Sequence, residues 1–136
     1  RQDGDPEIIS SSFLKNFDKL PSGVKNRLVL EVNDNKEGIW SIINLHKYYY
    51  QRANIPVTFD NLHHSFCHHG LPEREAFDMA YSTWNTTPVF HYSEGIDGTR
   101  KHADYALHTP PQYNSEVFWD VELKAKDLAI LKMLNK

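Results

Sequence analysis

Four short runs of apolar, β-branched and aromatic residues recur along this chain at nearly even intervals, and that spacing narrows the possible folds more than any other feature. The runs are Leu28-Val29-Leu30-Glu31-Val32, Ile55-Pro56-Val57-Thr58-Phe59-Asp60, Pro88-Val89-Phe90-His91-Tyr92 and Val117-Phe118-Trp119-Asp120-Val121-Glu122. Their starts lie about 30 residues apart, the length of one strand-plus-helix unit. Each run is nearly continuous in hydrophobicity rather than alternating, as expected of parallel strands covered on both faces.

Helical patterns fill the intervals. Over residues 38–53 the apolar positions Ile39, Ile42, Ile43, Leu45, Tyr49 and Tyr50 fall at three- and four-residue spacing. Residues 71–81 carry Ala76, Phe77 and Ala80 behind Pro72, a helix-start signal. Residues 127–134 predict a closing helix through Leu128, Ile130, Leu131 and Leu134, and a first helix is expected near residues 12–20, ending at Pro21. Strand and helix in regular alternation predict a parallel α/β architecture of four βα units. Four units make either an open sheet or half of an eight-stranded barrel, which typically takes about 250 residues. At 136 residues, with no linker or low-complexity stretch, a single domain over residues 1–136 is expected.

Composition removes several classes. Hydrophobic residues at 40% and charged residues at 24% exclude a disordered chain or a coiled coil. The net charge of -3, counting histidines as neutral, argues against a broad basic surface but not against nucleic acid held in a narrow groove beside bound cations. A lone cysteine, Cys67, excludes an internal disulfide and a cysteine-built zinc module, and suits an intracellular, reducing compartment rather than secretion. No apolar run approaches the roughly 18 residues of a membrane span. The polar start Arg1-Gln2-Asp3-Gly4-Asp5-Pro6 is no signal peptide, and since it lacks Met a processed chain or a fragment is expected.

In parallel α/β folds the chemistry collects where strands run into loops at their C-terminal ends. All four runs here carry a donor for a hard or borderline metal at that end. The first ends in Glu31, with Asn33 and Asp34 following; the second ends in Asp60, followed by Asn61-Leu62-His63-His64. The third carries His91, the fourth Glu122, and His102 lies in the loop after the third. One such residue is ordinarily a solvated loop acid or a hydrogen-bonded core histidine. Four of four, inside apolar strands, point instead to a cation that offsets the cost of burying charge. Mixed carboxylate and imidazole donors suit Mn²⁺, Zn²⁺ or Fe²⁺ better than Ca²⁺. Cys67, His68 and His69 form a further local cluster, read as a solvated loop.

These residues resemble the UV damage endonuclease family. The resemblance is carried, in the family's order, by Arg27-Leu28-Val29-Leu30-Glu31 with Asn33-Asp34, by residues 55–64, by Thr83-Trp84, by Phe90-His91-Tyr92-Ser93, by His102-Ala103-Asp104-Tyr105, and by residues 120–129. It covers about residues 12–131. It implies a TIM-barrel endonuclease that nicks DNA on the 5′ side of ultraviolet photoproducts. The implied cofactors are divalent metal ions, manganese first, with zinc, iron or magnesium as alternatives. The implied ligands are Glu31, Asp60, His63, His91, His102 and Glu122, with Glu31, Asp60 and Glu122 as the catalytic carboxylates. The resemblance also implies that this chain corresponds to the C-terminal half of the barrel. Two positions depart from the family pattern. Val32 interrupts a Glu-Asn-Asp run, leaving the roles of Glu31 and Asp34 open. Val89 stands where the family tends to place a lysine that bridges metals when carboxylated, so a smaller metal cluster is expected.

The function expected is therefore metal-assisted hydrolysis of a phosphodiester in damaged double-stranded DNA. Arg100 and Lys101, beside Gly95 and Gly98, are candidate phosphate contacts, or else an ordinary solvated basic pair. Trp40, Trp84 and Trp119 are read as core rather than as base-stacking platforms. A metal-dependent sugar isomerase and an inactive half-barrel assembly module are the competing readings. Four βα units leave open sheet edges and an uncovered inner face, so an N-terminal half-barrel chain or self-association is expected.

Overall fold

A computed structural model describes residues 3–135. Helix α1 spans Pro6–Phe17, with the Asp5 side chain accepting the Glu7 N–H at 2.8 Å and Pro6 at the start. It begins earlier than the expected 12–20 because Asp5-Pro6 is itself a capping signal. A single turn, α2 (Ser22–Lys25), follows Pro21. Strand β1 (Leu30–Glu31) leads to α3 (Ile42–Leu45), which the Ser41 side chain caps. That helix runs on through a π turn (His46–Tyr50) into α4 (Gln51–Ala53) and stops where Asn54 turns left-handed at φ +53°. Strand β2 (Val57–Thr58) is followed by α5 (Asn61–Phe66) and α6 (Glu73–Tyr81). Strand β3 (Val89–Tyr92), a 3-10 turn (Ile96–Gly98), strand β4 (Phe118–Val121) and α7 (Asp127–Leu134) complete the order.

Every pairing between these strands is parallel. Leu30 faces Val57 across β1–β2, and β3–β4 run in register from Val89↔Phe118 to Tyr92↔Val121. The two pairs are joined by a parallel bridge between Asp60 and His91, where the His91 N–H donates to the Phe59 carbonyl at 2.9 Å. Consecutive strands are therefore neighbours in space.

Two expectations need correction. The third connection, from β3 to β4, contains no α-helix, only the 3-10 turn and an irregular loop over residues 99–117. Apolar residues are sparse and unevenly spaced in that stretch, and Pro110-Pro111 interrupts it, so it carries no helical repeat. Strand β2 is buried on both faces, but β3 and β4 are not. In β3, Phe90 and Tyr92 are buried while Val89 is 41% exposed, and in β4 Phe118 is 62% exposed. The uniform hydrophobicity of these runs reflects a second face that nothing among the described residues covers.

The covered face packs on helices α1, α3 and α6. Phe77 of α6 is its hub, with ring contacts to Phe59, Phe90, Tyr113 and Trp119 at 4.9–6.2 Å. Trp40 lies in the same core, and the Trp84 indole N–H donates to the Val57 carbonyl at 2.8 Å, so all three tryptophans are structural. Phe77→Ala is expected to cost about 3–5 kcal/mol of stability. Urea unfolding of the purified chain measures it, and a loss near zero would remove Phe77 from the centre of this core.

Candidate metal centre

Glu31 closes β1, Asp60 follows β2, His91 lies in β3 and Glu122 follows β4, so four side chains reach one end of the strands. His63 joins them from the first turn of α5. His102 reaches them from the long loop, which is pinned by the Gly95–His102 bridge and by the Ala103 N–H donating to the Glu94 carbonyl at 2.8 Å. Gly95 is required there, because a β-carbon would collide with the Thr99 carbonyl. The Glu94 carboxylate anchors the same loop, accepting the Tyr92 hydroxyl and the Leu107 and His108 N–H groups at 2.8 Å each.

Glu31 is the hub of the cluster. Its Oε1 lies 3.1 Å from His63 Nδ1 and 3.0 Å from His91 Nδ1. His91 Nδ1 is 3.6 Å from Glu122 Oε1, and Glu122 Oε2 is 3.9 Å from His102 Nε2. Asp60 Oδ2 lies 3.9 Å from His63 Nδ1. All six residues singled out from the sequence thus fall in one connected cluster. Donor atoms of Glu31, Asp60 and His91 converge to within 4.8 Å of one another, and those of His91, Asp120 and Glu122 do the same. Asp120 was missed. It faces His91 in the β3–β4 register and lies two residues before Glu122 on the same strand face, which is the signal that could have found it.

Asp60 divides its carboxylate between two tasks. Oδ1 accepts the His63 N–H at 2.8 Å and caps α5, a helix that strand-end reasoning did not anticipate. Oδ2 is buried and has no hydrogen-bond partner among the described residues. The residue is 0% exposed. Burial pushes the Asp60 carboxyl up to about 6, against the His63 charge and amide, and the nearby Glu31 charge adds to the rise. Burial works on Glu31 in the same direction, but hydrogen bonds and charge from His63 and His91 overcome it and hold that carboxyl at about 2. The same contacts push His63 up to about 9 despite its burial. His91 is raised by the Glu31 hydrogen bond against its own burial. The metal-free cluster therefore carries protons on its imidazoles to offset its carboxylates. An unsatisfied buried carboxylate oxygen among imidazole and carboxylate donors fits a divalent cation.

Several neighbours take other roles. The Val32 carbonyl lies 3.1 Å from His63 Nδ1, so the residue that interrupts the family run helps to orient a ligand candidate. Asp34 stands apart, its Oδ2 3.6 Å from the Arg100 guanidinium. Lys101 is exposed. Val89 shares the exposed face of β3 with His91. His64 is a core histidine bonded to the Leu71 carbonyl at 3.0 Å. His68 and His69 are exposed, as a loop reading expects, but Cys67 is buried and its thiol donates to the Gly38 carbonyl at 3.4 Å.

The family model for UV-endonuclease UvdE matches residues 2–136. The chain belongs to this family. A UV DNA damage endonuclease from Nostoc sp. is 32% identical over 89% of this chain and 39% of its own length. One from Clostridium perfringens is 29% identical over 97% of the chain and 34% of its own length. The crystal structure of SacUVDE superposes with a TM-score of 0.80 at 31% identity, covering 100% of this chain and 50% of that one. This UvdE-family chain thus spans half or less of the proteins it matches, and its mixed α/β fold is shared with half of SacUVDE.

Because Asp60 is raised, its contribution to stability is present below the ordinary carboxylate range and is lost as pH rises through about 6. Near neutrality its charge therefore destabilises the metal-free fold. Asp60→Asn is expected to stabilise the metal-free chain at pH 7.5, by on the order of 1–3 kcal/mol, and to abolish the rise in melting temperature that Mn²⁺ gives the parent. Thermal unfolding with and without Mn²⁺ reads both effects. A variant that is destabilised without metal, or that is still stabilised by it, would contradict this account of Asp60.

Proposed function

We propose that this chain is the metal-binding half of a DNA repair endonuclease that hydrolyses the phosphodiester 5′ to ultraviolet photoproducts or related lesions. The observation that carries the reading is the meeting of Glu31, Asp60, His63, His91, His102 and Glu122 around a buried carboxylate oxygen that lacks a partner. A divalent ion bound there, Mn²⁺ foremost and Zn²⁺, Fe²⁺ or Mg²⁺ as alternatives, would polarise the phosphate and lower the pKa of a bound water.

The protein's own residues set up that chemistry. Glu31, Asp60 and Glu122 supply the negative charge and are the catalytic carboxylates of this reading. Glu31 Oε1 orients His63 and His91 together, and the Val32 carbonyl holds the His63 ring in place. Both imidazoles give up a proton when they become ligands, so acid competes with metal for them. Arg100 and Lys101 stand on the rim as DNA contacts. Arg100 is partly neutralised by Asp34, which leaves Lys101 as the more available of the two.

Residues 1–136 form one domain in this reading, the C-terminal half of a (β/α)8 barrel. Its exposed inner face, with Val29 38%, Val89 41% and Phe118 62% exposed, waits for the N-terminal half or a second copy. Damaged double-stranded DNA is the substrate, and the setting is intracellular. No described helix is long and apolar enough to cross a membrane.

Two outcomes test the reading. With the N-terminal half of a relative supplied and Mn²⁺ present, irradiated plasmid is expected to be nicked, and Glu122→Ala to lower the rate by about 100-fold or more. Nicking that survives this change would sink the site, and ketose–aldose interconversion without nicking would favour a sugar isomerase. In sedimentation the chain is expected to self-associate, or to pair with the added half. A compact, stable monomer that ignores the added half would oppose the half-barrel.

A further inference from the structure

The segment directly after β4 holds a feature the ligand cluster does not use. Glu122 is followed by Leu123-Lys124-Ala125-Lys126, and Lys126 sits at φ +52° and ψ -126°. That left-handed backbone crowds an L side chain and usually belongs to glycine. The Lys126 side chain does not cap α7. Lys126 closes a turn, its N–H donating to the Leu123 carbonyl at 3.1 Å, and its own carbonyl accepts the Ala129 N–H at 3.0 Å as α7 opens. Just before it the Lys124 N–H donates to the Ala103 carbonyl at 3.0 Å and the Ala125 N–H to the Asp104 carbonyl at 3.1 Å. The segment is thereby tied to the loop that carries His102. Strain kept in this way gathers at sites where a side chain must be aimed.

A cavity of about 500 Å³ opens against this segment, and its walls include His102, Asp120, Glu122, Lys124 and Lys126. Three arginines, Arg52, Arg74 and Arg100, have carboxylate partners. Lys132 lies 4.5 Å over the Tyr105 ring. Among the described residues, neither Lys124 nor Lys126 has a carboxylate within 4.0 Å. Two lysines without a carboxylate partner among the described residues therefore line the same cavity as Asp120 and Glu122. An anion could occupy it only if a cation offset Asp120 and Glu122 while the lysines met the anion's free oxygens. A phosphate group has that charge and those acceptors, and a lysine ammonium binds it as a point charge.

We propose that Lys124 and Lys126 form a phosphate-binding site beside the metal cluster, holding a backbone phosphate of the DNA and so setting its register on the catalytic carboxylates. This rests on the endonuclease reading for its substrate, though not for its ligand chemistry. The test titrates the intact chain with inorganic phosphate in the presence of Mg²⁺, following the ¹H–¹⁵N shifts of residues 122–127. Saturable shifts that depend on Mg²⁺ are expected. Lys124→Met and Lys126→Gly should each weaken binding about tenfold, and Lys126→Arg should retain most of it. Lys126→Gly should also match or exceed the parent in melting temperature, since glycine relieves the backbone, so that lost binding cannot be blamed on unfolding. Binding that is unchanged in both variants, or shifts confined to other residues, would overturn the site. In the assembled enzyme the same variants should raise KM for irradiated DNA with little change in kcat. Lysine-dependent phosphate binding without any nicking would count against the endonuclease reading alone, whereas nicking with an unchanged KM would count against the lysines alone.

Discussion

A single carboxylate sits at the junction of everything that organises this fold. Asp60 follows β2, bridges to His91 of β3, starts α5 through Oδ1, and leaves Oδ2 buried without a donor among the described residues. The first three roles build structure and favour the residue as it stands. The fourth opposes folding, because a carboxylate that has lost its water and gained no partner raises the free energy of its charged form. The cluster answers with protons on His63 and His91, which can offset the charge but cannot give Oδ2 a hydrogen bond. A divalent cation would offset the charge and coordinate Oδ2 directly. The stability of the fold and any affinity of the cluster for metal would then be two sides of one arrangement.

The strand faces divide the chain's chemistry as sharply as its packing. On the covered side Phe59, Phe77 and Phe90 interlock with Trp119 into an aromatic core. On the open side lie Glu31, His91 and Asp120 together with Val89 and Phe118, charged and apolar groups in alternation along the strand direction. Apolar residues of that size exposed on a sheet face are unstable as a final surface. Their placement level with and behind the ligand cluster means that whatever covers them also closes one side of the cluster. The removal of water there would strengthen the ion pairing that the isolated chain can only partly express.

The strands and most of the site were legible because both depend on local pattern. Each apolar run contains its strand, and Glu31, Asp60, His91 and Glu122 stand at or near the runs' C-terminal ends, where parallel geometry delivers them to a common rim. Residues 127–134 were read correctly as a helix for a similar reason, since Leu128, Ile130, Leu131 and Leu134 keep helical spacing. What failed was legible only in three dimensions. Asp60 looked like the end of a strand followed by loop, and its second identity as a helix cap depends on the backbone turning at that residue. Asp120 was passed over because its importance comes from the cross-strand register with His91. The β3–β4 connection has no periodicity to read, and its order comes from Glu94 accepting donors thirteen and fourteen residues away. The alternatives Glu31 and Asp34 could not be separated by spacing. In the fold they part because Val32 turns its side chain into the core, 2% exposed, sending Glu31 to the cluster and Asp34 toward Arg100.

That last division also gives Val32 a part in the cluster. Its carbonyl contacts His63 Nδ1, the same nitrogen that meets Glu31. One ring nitrogen is therefore held by two acceptors from adjacent residues, and this fixes both the ring plane and which nitrogen carries the proton. His63 Nε2 is left facing away from that pair. Among the described residues His91 Nδ1 meets no backbone acceptor; Glu31 holds it at 3.0 Å, with Glu122 at 3.6 Å. Of the two imidazoles, His91 is the one whose position should follow the charge state of the cluster, and it is also the residue common to both groups of converging donors. Loss of His91 would therefore break both groups of converging donors at once.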